Sequence, residues 1–294
     1  MIVTVASGKG GTGKTTVATG LAVAVALARA RDGSSRDVGV QLLDCDVEEP
    51  NSHLFLNPTL QETEEVGILT PVVDQDRCIG CRKCAEVCSY HAIAVLGKEV
   101  LVFNELCHGC GSCALNCPQG AIREELRVTG VVEEGPAGEI AFARGVLNVG
   151  EAMAVPVIRQ LKRRSAEAGS NRLVIRDAPP GSSCPVVECL RGADYALMVT
   201  EPTPFGLHDL RTAVEVARDE LRLPVGVVIN RDGAGDSGVE EYCRETGIPI
   251  LMRIPLDRRI AEACSEGLPI PSALPEYRER FLALYRRIEG EVGS

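Results

Sequence analysis

Eight residues near the amino end, Gly8-Lys9-Gly10-Gly11-Thr12-Gly13-Lys14-Thr15, constrain this chain more than any others. They fit G-x-x-x-x-G-K-T and lie between a short β-branched apolar run, Ile2 to Ala6, and a helical pattern from Lys14 to about Arg29. That is the context in which the spacing cradles phosphate. Glycines let backbone N–H groups turn inward, and the helix N-terminus adds positive potential. Lys14 neutralises terminal phosphates, and Thr15 offers magnesium a hydroxyl. Gly8 to Thr16 are therefore the expected phosphate-binding residues. The same letters contain Gly8-x-Gly10-x-x-Gly13, a dinucleotide fingerprint, but the Lys14-Thr15 pair has no task on a pyrophosphate. An acid is also missing about 20 residues further on, where residues 33–35 are Gly-Ser-Ser.

A second apolar strand, Val38 to Leu43, ends in Asp44-Cys45-Asp46, carboxylates at a strand's carboxyl end, where open α/β sheets place ligands. The strand–helix rhythm breaks from about Thr59 and returns after Gly150. A helix near 152–168 is followed by strands Arg172–Arg176 and Ala196–Thr200, a helix over 206–221, strands Val225–Ile229 and Ile248–Ile254, and two closing helices. The last helix, about 275–290, carries Tyr277, Phe281, Leu284, Tyr285 and Ile288 at three-to-four spacing. Charges of both signs cover its other side, so the stripe is expected to pack on the core rather than lie on a membrane. The apolar run Val17–Ala30 behind Lys9 and Lys14 superficially looks like a secretion signal. At 14 residues it is too short to cross a bilayer, it contains Gly20, and its removal would destroy the phosphate loop, so it reads as a buried helix.

Thirteen cysteines stand in the chain, eight of them between Cys78 and Cys117. In a chain of 294 residues, such crowding argues for metal binding in a reducing, cytoplasmic compartment and against a secreted disulfide scaffold. Cys78-x2-Cys81-x2-Cys84-x3-Cys88 and Cys107-x2-Cys110-x2-Cys113-x3-Cys117-Pro118 repeat the bacterial ferredoxin pattern, in which the fourth cysteine of each run serves the other cluster. Cys78, Cys81, Cys84 and Cys117 would then hold one 4Fe–4S cluster, and Cys107, Cys110, Cys113 and Cys88 the other. Structural zinc is the alternative, but it prefers paired C-x2-C knuckles to triple runs with a distant fourth ligand. Ser89 stands where a proline usually follows the fourth cysteine, and His108, between ligands, is given no role. A hairpin, Ala92–Val95 with Val100–Phe103 around Gly97, completes a module over 74–126, inserted into an α/β domain of 1–73 and 127–294.

Lys9, a second lysine inside the phosphate loop, makes Lys9-Gly10-Gly11-x-Gly13-Lys14-Thr15 similar to the deviant Walker A of the MinD/ParA ATPase superfamily, which includes the nitrogenase iron protein and the Mrp-type cluster carriers. The resemblance runs from Met1 to about Gly267. It implies a P-loop NTPase fold with a mostly parallel sheet, interrupted here by the bacterial-ferredoxin-like α+β module. It further implies that Lys9 reaches the partner's nucleotide in an ATP-sandwich dimer and that Asp46 orients the attacking water. Asp44 would support magnesium, and Asp177, opening Asp177-Ala178-Pro179-Pro180-Gly181, would act as the Walker B-like carboxylate. Asn230-Arg231-Asp232-Gly233 lacks the acid that reads guanine, so ATP is favoured, with Asn230 at the adenine edge. Cys184 sits at the offset where the nitrogenase iron protein carries a ligand, so Cys184 and Cys189 are candidates for a bridging cluster or relay point at a two-fold axis.

Thirty-one basic against 41 acidic residues give a net charge of −10, which disfavours nucleic acid as a partner. The expectation is an ATP-hydrolysing, dimeric iron–sulfur protein, homodimeric or paired with a paralogous ATPase. Its nucleotide state is coupled to electron transfer with a redox partner or to maturation of a client metalloprotein, without stable membrane insertion. The competing reading is a ParA-like positioning ATPase that uses the ferredoxin module as redox sensor or docking element.

Overall fold

The structure, a computed structural model, describes residues 1–31, 39–166 and 172–293. Its strands are β1 (Ile2–Ala6), β2 (Val40–Asp44), β3 (Glu62–Val73), β4 (Ile93–Leu96), β5 (Glu99–Val102), β6 (Ile122–Ala137), β7 (Ile140–Leu147), β8 (Leu173–Asp177), β9 (Tyr195–Thr200), β10 (Val225–Asp232) and β11 (Ile250–Pro255). The helices are α1 (Lys14–Arg31), α2 (Ser52–Leu56), α3 (Lys83–Glu86), α4 (Ser112–Leu115), α5 (Val155–Ala166), α6 (Cys184–Leu190), α7 (Pro204–Val214), α8 (Gly238–Thr246), α9 (Arg258–Ser265), α10 (Ile270–Ala273) and α11 (Arg278–Val292). The chain divides into two compact units. The first comprises Met1–Glu64, Val132–Val146 and Ile158–Ser294; the second comprises Glu65–Val131 and Leu147–Val157.

In the first unit the strand order is β11-β10-β9-β1-β8-β2-β7, and each of these neighbours pairs in parallel. Such sheets are buried on both faces, which is why β1, β2, β8 and β9 read as mostly apolar, fully or largely buried runs, broken by Thr4, Gln41 and Arg176, rather than as alternating ones. The expected strands and helices from β8 onward lie within a few residues of their sequence limits, with α7 passing into a π-helical turn over Glu215–Glu220. Of the expected strand Val38–Leu43, Val38 lies outside the described residues, as do the last two residues of the helix expected over 152–168.

Three long strands escape the sequence reading: β3, β6 and β7, in the stretch around Thr59 and again before Gly150. Their glutamates and glycines mask the apolar alternation. Tertiary partners compensate, because Arg144 donates to Glu133 at 2.7 Å and Arg164 to Glu64 at 2.6 Å. Ion pairs of this kind, one between β6 and β7 and one from α5 to β3, override intrinsic propensity. Gly138, at φ +60°, supplies the left-handed residue in the tight connection from β6 to β7.

The amphipathic stripe of α11 faces inward: Phe281, Leu284 and Ile288 are buried in the same core as α1. Gly20, a poor residue for a helix interior, lies under the Phe281 ring; a Cβ there would sit 2.6 Å from Phe281 Cζ. No helix among the described residues is long and apolar enough to cross a membrane. Phe281→Ala opens a cavity against Gly20 and is expected to cost about 3–5 kcal/mol, read by urea unfolding. Restoring volume on the other side with Gly20→Ala should recover only part of it.

Candidate functional site

The nucleotide-binding candidates gather at the carboxyl ends of the first unit's parallel strands. Between β1 and α1 the loop turns through Gly11 (φ +76°) and Gly13 (φ +93°), conformations that a side chain would strain. Ser7 Oγ donates to Lys9 O at 2.6 Å, and Gly181 N–H donates to Ser7 O at 3.0 Å, tying the loop that follows β8 to the phosphate loop. Gly8 has no room for a Cβ, which would lie 2.1 Å from Asp209 O on α7. Asn230 Nδ2 donates to Thr12 O at 2.7 Å and lies against Gly13, so in this state its amide braces the loop. A cleft of about 1930 Å³ opens here, lined by Gly10, Lys14, Thr15, Thr16, Asp46 and Asn230 among others.

Register brings the acids together. β2 and β8 pair so that Asp44 stands directly beside Asp177, both fully buried. Ser52, at the start of α2, bridges them: its N–H donates to Asp44 Oδ2 at 2.9 Å and its hydroxyl to Asp177 Oδ2 at 3.0 Å. Thr15 also hydrogen-bonds Asp177. Burial, then repulsion from Asp177, pushes Asp44 up to about 8, and the same two causes raise Asp46 to about 6. Asp177 is likewise raised by burial, against the pull of Thr15 and Lys14. Burial lowers Lys14, opposed by Asp177 and Asp46. Asp46 and Asp177 thus share one buried ammonium, and Asp44 stands beside Asp177.

Asp177 Oδ1 is buried without a hydrogen-bond partner, beside a threonine hydroxyl, an oxygen donor set that suits a small hard cation. Among the described residues no three His, Cys, Asp or Glu side chains converge on one point. This accords with a cation held by one or two protein oxygens together with phosphate and water.

Lys9 does not project freely. Its Nζ lies 3.2 Å from Glu201 Oε2, and Arg231 Nη1 donates to the other oxygen of the same, largely buried carboxylate at 2.5 Å. Neither Glu201 nor Ser52 was singled out by the sequence reading. Glu201 follows β9, so the rule that flags acids at strand ends would have found it; no local signal marks Ser52.

In the second unit the eight clustered cysteines divide between two largely apolar cavities. Cys78, Cys81, Cys84 and Cys117 line one of about 380 Å³, and Cys88, Cys107, Cys110 and Cys113 line one of about 370 Å³. Backbone N–H groups point at sulfur: Gly80 to Cys78 at 3.4 Å, Ala92 to Cys88 at 3.3 Å and Ala121 to Cys117 at 3.3 Å. Ser89 leaves its loop unchanged relative to Pro118, since His91 N–H and Gly120 N–H donate to Cys88 O and Cys117 O at the same 3.1 Å. β4 and β5 form the expected antiparallel hairpin. His108 stacks on Tyr90 with ring centroids 3.7 Å apart.

The other cysteines lie apart from both cavities. Cys184 is exposed, whereas Cys189 is fully buried against Cys45, and burial pushes its thiol well up. A joint role for Cys184 and Cys189 at a two-fold axis is therefore corrected: Cys189 is locked inside its own protomer. Cys264 lies 3.9 Å from Thr16 Oγ1 and lines the nucleotide cleft, and Cys243 is buried.

Because the folded chain holds protons on Asp44, Asp46 and Asp177 more tightly than the unfolded chain does, free protein should lose stability as pH rises from about 4 towards 8. Asp44→Asn should flatten that slope. Thermal unfolding followed across this range in magnesium-free buffer measures both, and a flat wild-type profile would remove the carboxylate crowding as a cause.

The chain is 30% identical over 268 residues to an uncharacterised protein of Methanocaldococcus jannaschii, spanning 91% of this chain and 90% of that one. It is 27% identical over 132 residues, 40% of this chain and 45% of the other, to the iron-sulfur cluster carrier protein of the same organism. The fold is similar to that of the septum site-determining protein MinD complexed with Mg-ADP from Pyrococcus horikoshii, with a TM-score of 0.58 and 20% identity over 99% of this chain and 97% of that one. Residues 3–270 match the CobQ/CobB/MinD/ParA nucleotide binding domain, and with the phosphate loop at the head of a parallel sheet, this chain belongs to that family.

Proposed function

We propose that this protein is a nucleotide-gated iron–sulfur ATPase, binding magnesium ATP in the first unit and two 4Fe–4S clusters in the second. Its nucleotide state would be coupled to electron transfer or to maturation of a partner metalloprotein. The observation that carries the proposal is the sorting of eight cysteines, drawn crosswise from two sequence runs, into two cavities of four in a chain that also has a complete phosphate loop.

The donor sets fit. Four thiols spread around an apolar wall, with N–H groups aimed at sulfur, suit a polynuclear cluster whose irons each take one thiolate. A single zinc ion instead needs its four ligands about 2.0–2.3 Å from one point, a convergence not found among the described residues. Cys78, Cys81, Cys84 and Cys117 would hold one cluster, and Cys107, Cys110, Cys113 and Cys88 the other. When bound, the clusters supply one-electron chemistry. The similarity to a protein named as an iron-sulfur cluster carrier lends weight to a maturation role.

In the first unit, Lys14 and the N–H groups of Gly8 to Thr16 would hold the phosphates, and Thr15 with Asp44 and Asp177 would hold magnesium, directly or through water. Asp46, largely buried and raised to about 6, would orient the attacking water and take its proton near neutral pH. Asn230 would serve the adenine edge only if it lets go of Thr12. Lys9 would reach a second protomer, identical or paralogous, after leaving Glu201.

Anaerobically purified protein should carry about eight irons and eight sulfides per chain, and Cys84→Ala or Cys113→Ala should each remove about half. Zinc without sulfide in the wild type ends the proposal. Glu201→Gln, by releasing Lys9, should lower several-fold the ATP concentration at which the protein dimerises in sedimentation; equal concentrations for variant and wild type would show that the ion pair does not restrain association.

A further inference from the structure

The two cysteine runs are offset by 29 residues, and the backbone repeats with them. Gly80 and Gly109 share a positive φ (+68° and +63°), as do Arg82 and Gly111 (+65° and +72°) and His91 and Gly120 (+51° and +53°). Helices α3 and α4 occupy equivalent places. Two halves built to one plan would present two similar cavity mouths, yet their charges differ.

At the first cavity the repeat carries cations. Arg82 lines it. Lys83 begins α3 beside it, and Arg77 Nη2 donates at 2.8 Å to the carbonyl of Gln119, another lining residue. Lys98 Cα lies 3.3 Å from where a Cβ on Gly80 would stand. The equivalents of Arg77, Arg82 and Lys83 in the second half are Leu106, Gly111 and Ser112, all uncharged, and that of Lys98 is Arg127, which is largely buried and paired with Glu151 at 2.6 Å. There the wall instead carries Glu124, where the first half has Val95, and the Tyr90–His108 stack covers part of it. Asp76, Glu86 and Glu99 also lie in the first half. Glu99 alternates with inward-facing Val100 on β5 and so points away from the cavity, while Glu86 comes two residues before Cys88, a wall residue of the second cavity. Exposed apolar side chains adjoin the first mouth: Ile79 in its wall is 54% exposed, and Leu115, two residues before Cys117, is 87% exposed.

We propose that the first cavity's mouth, rimmed by Arg77, Arg82, Lys83 and Lys98, is the docking surface for an acidic one-electron carrier protein. This deepens the cluster reading and rests on it. An apolar centre within a cationic rim has the composition of a transient interface, with charge setting approach and orientation. The chain as a whole carries −10, so an acidic protein is repelled elsewhere and steered to this patch. A basic carrier would be drawn to much of the surface without distinction.

The repeat supplies substitutions the backbone already accepts. Arg82→Gly and Lys83→Ser write the second half's residues into the first, and glycine relieves the positive φ. Holoprotein whose iron and sulfide have been counted is titrated with an acidic plant-type 2Fe–2S ferredoxin as probe. The wild type should bind with an affinity that falls about tenfold between low and physiological salt. The double variant should bind at least tenfold more weakly at low salt, Lys98→Gln less so, and Glu124→Gln on the other cavity within twofold of wild type. Equal binding by the double variant, salt-independent binding, or no binding by iron-replete wild type would overturn the docking surface while leaving the clusters standing. Wild type without iron and sulfide would defeat the cluster reading instead.

Discussion

Crowding of negative charge around one buried ammonium governs the first unit. Parallel pairing of β2 with β8 sets Asp44 against Asp177, Asp46 follows two residues later, and Lys14 faces them with 7% of its surface exposed. Such an arrangement is costly on its own, since each added buried charge disfavours the next. Ser52 and Thr15 offset part of it with hydrogen bonds, and protons held on the carboxyl groups offset more. A magnesium–phosphate group entering the cleft would relieve the remainder, turning a strained free state into a neutral, well-bonded one.

What the sequence made legible was local. The phosphate loop, the strand-end acids and the cysteine spacing are short patterns whose chemistry depends on neighbours in the chain, and their residues lie together in space as the spacings suggest. Contacts between distant segments were not legible. The register that seats Asp44 beside Asp177, the serine that joins them and the buried carboxylate holding Lys9 all come from strand order. β3, β6 and β7 were obscured for a related reason: Glu64, Glu133 and Glu134 look like loop residues until Arg144 and Arg164 are placed opposite them.

The second unit spreads its task differently. Each cavity wall takes three thiols from one run and one from the other, so neither half can close a cavity without its twin. Buried apolar side chains contributed by both hairpin strands, Ile93 and Val100, pack with Cys84 and Cys113 in one small core. With a core this small, clusters bound as proposed would supply much of the unit's order.

Glu201 holds two cations at once, and their departures are unequal. While Arg231 stays, the carboxylate remains neutralised, so releasing Lys9, a third exposed, gives up only its own ion pair. Were both to leave, a buried anion would be stranded. If Lys9 reaches a second subunit as proposed, Arg231 would keep the carboxylate at the end of β9 neutralised while the lysine is away.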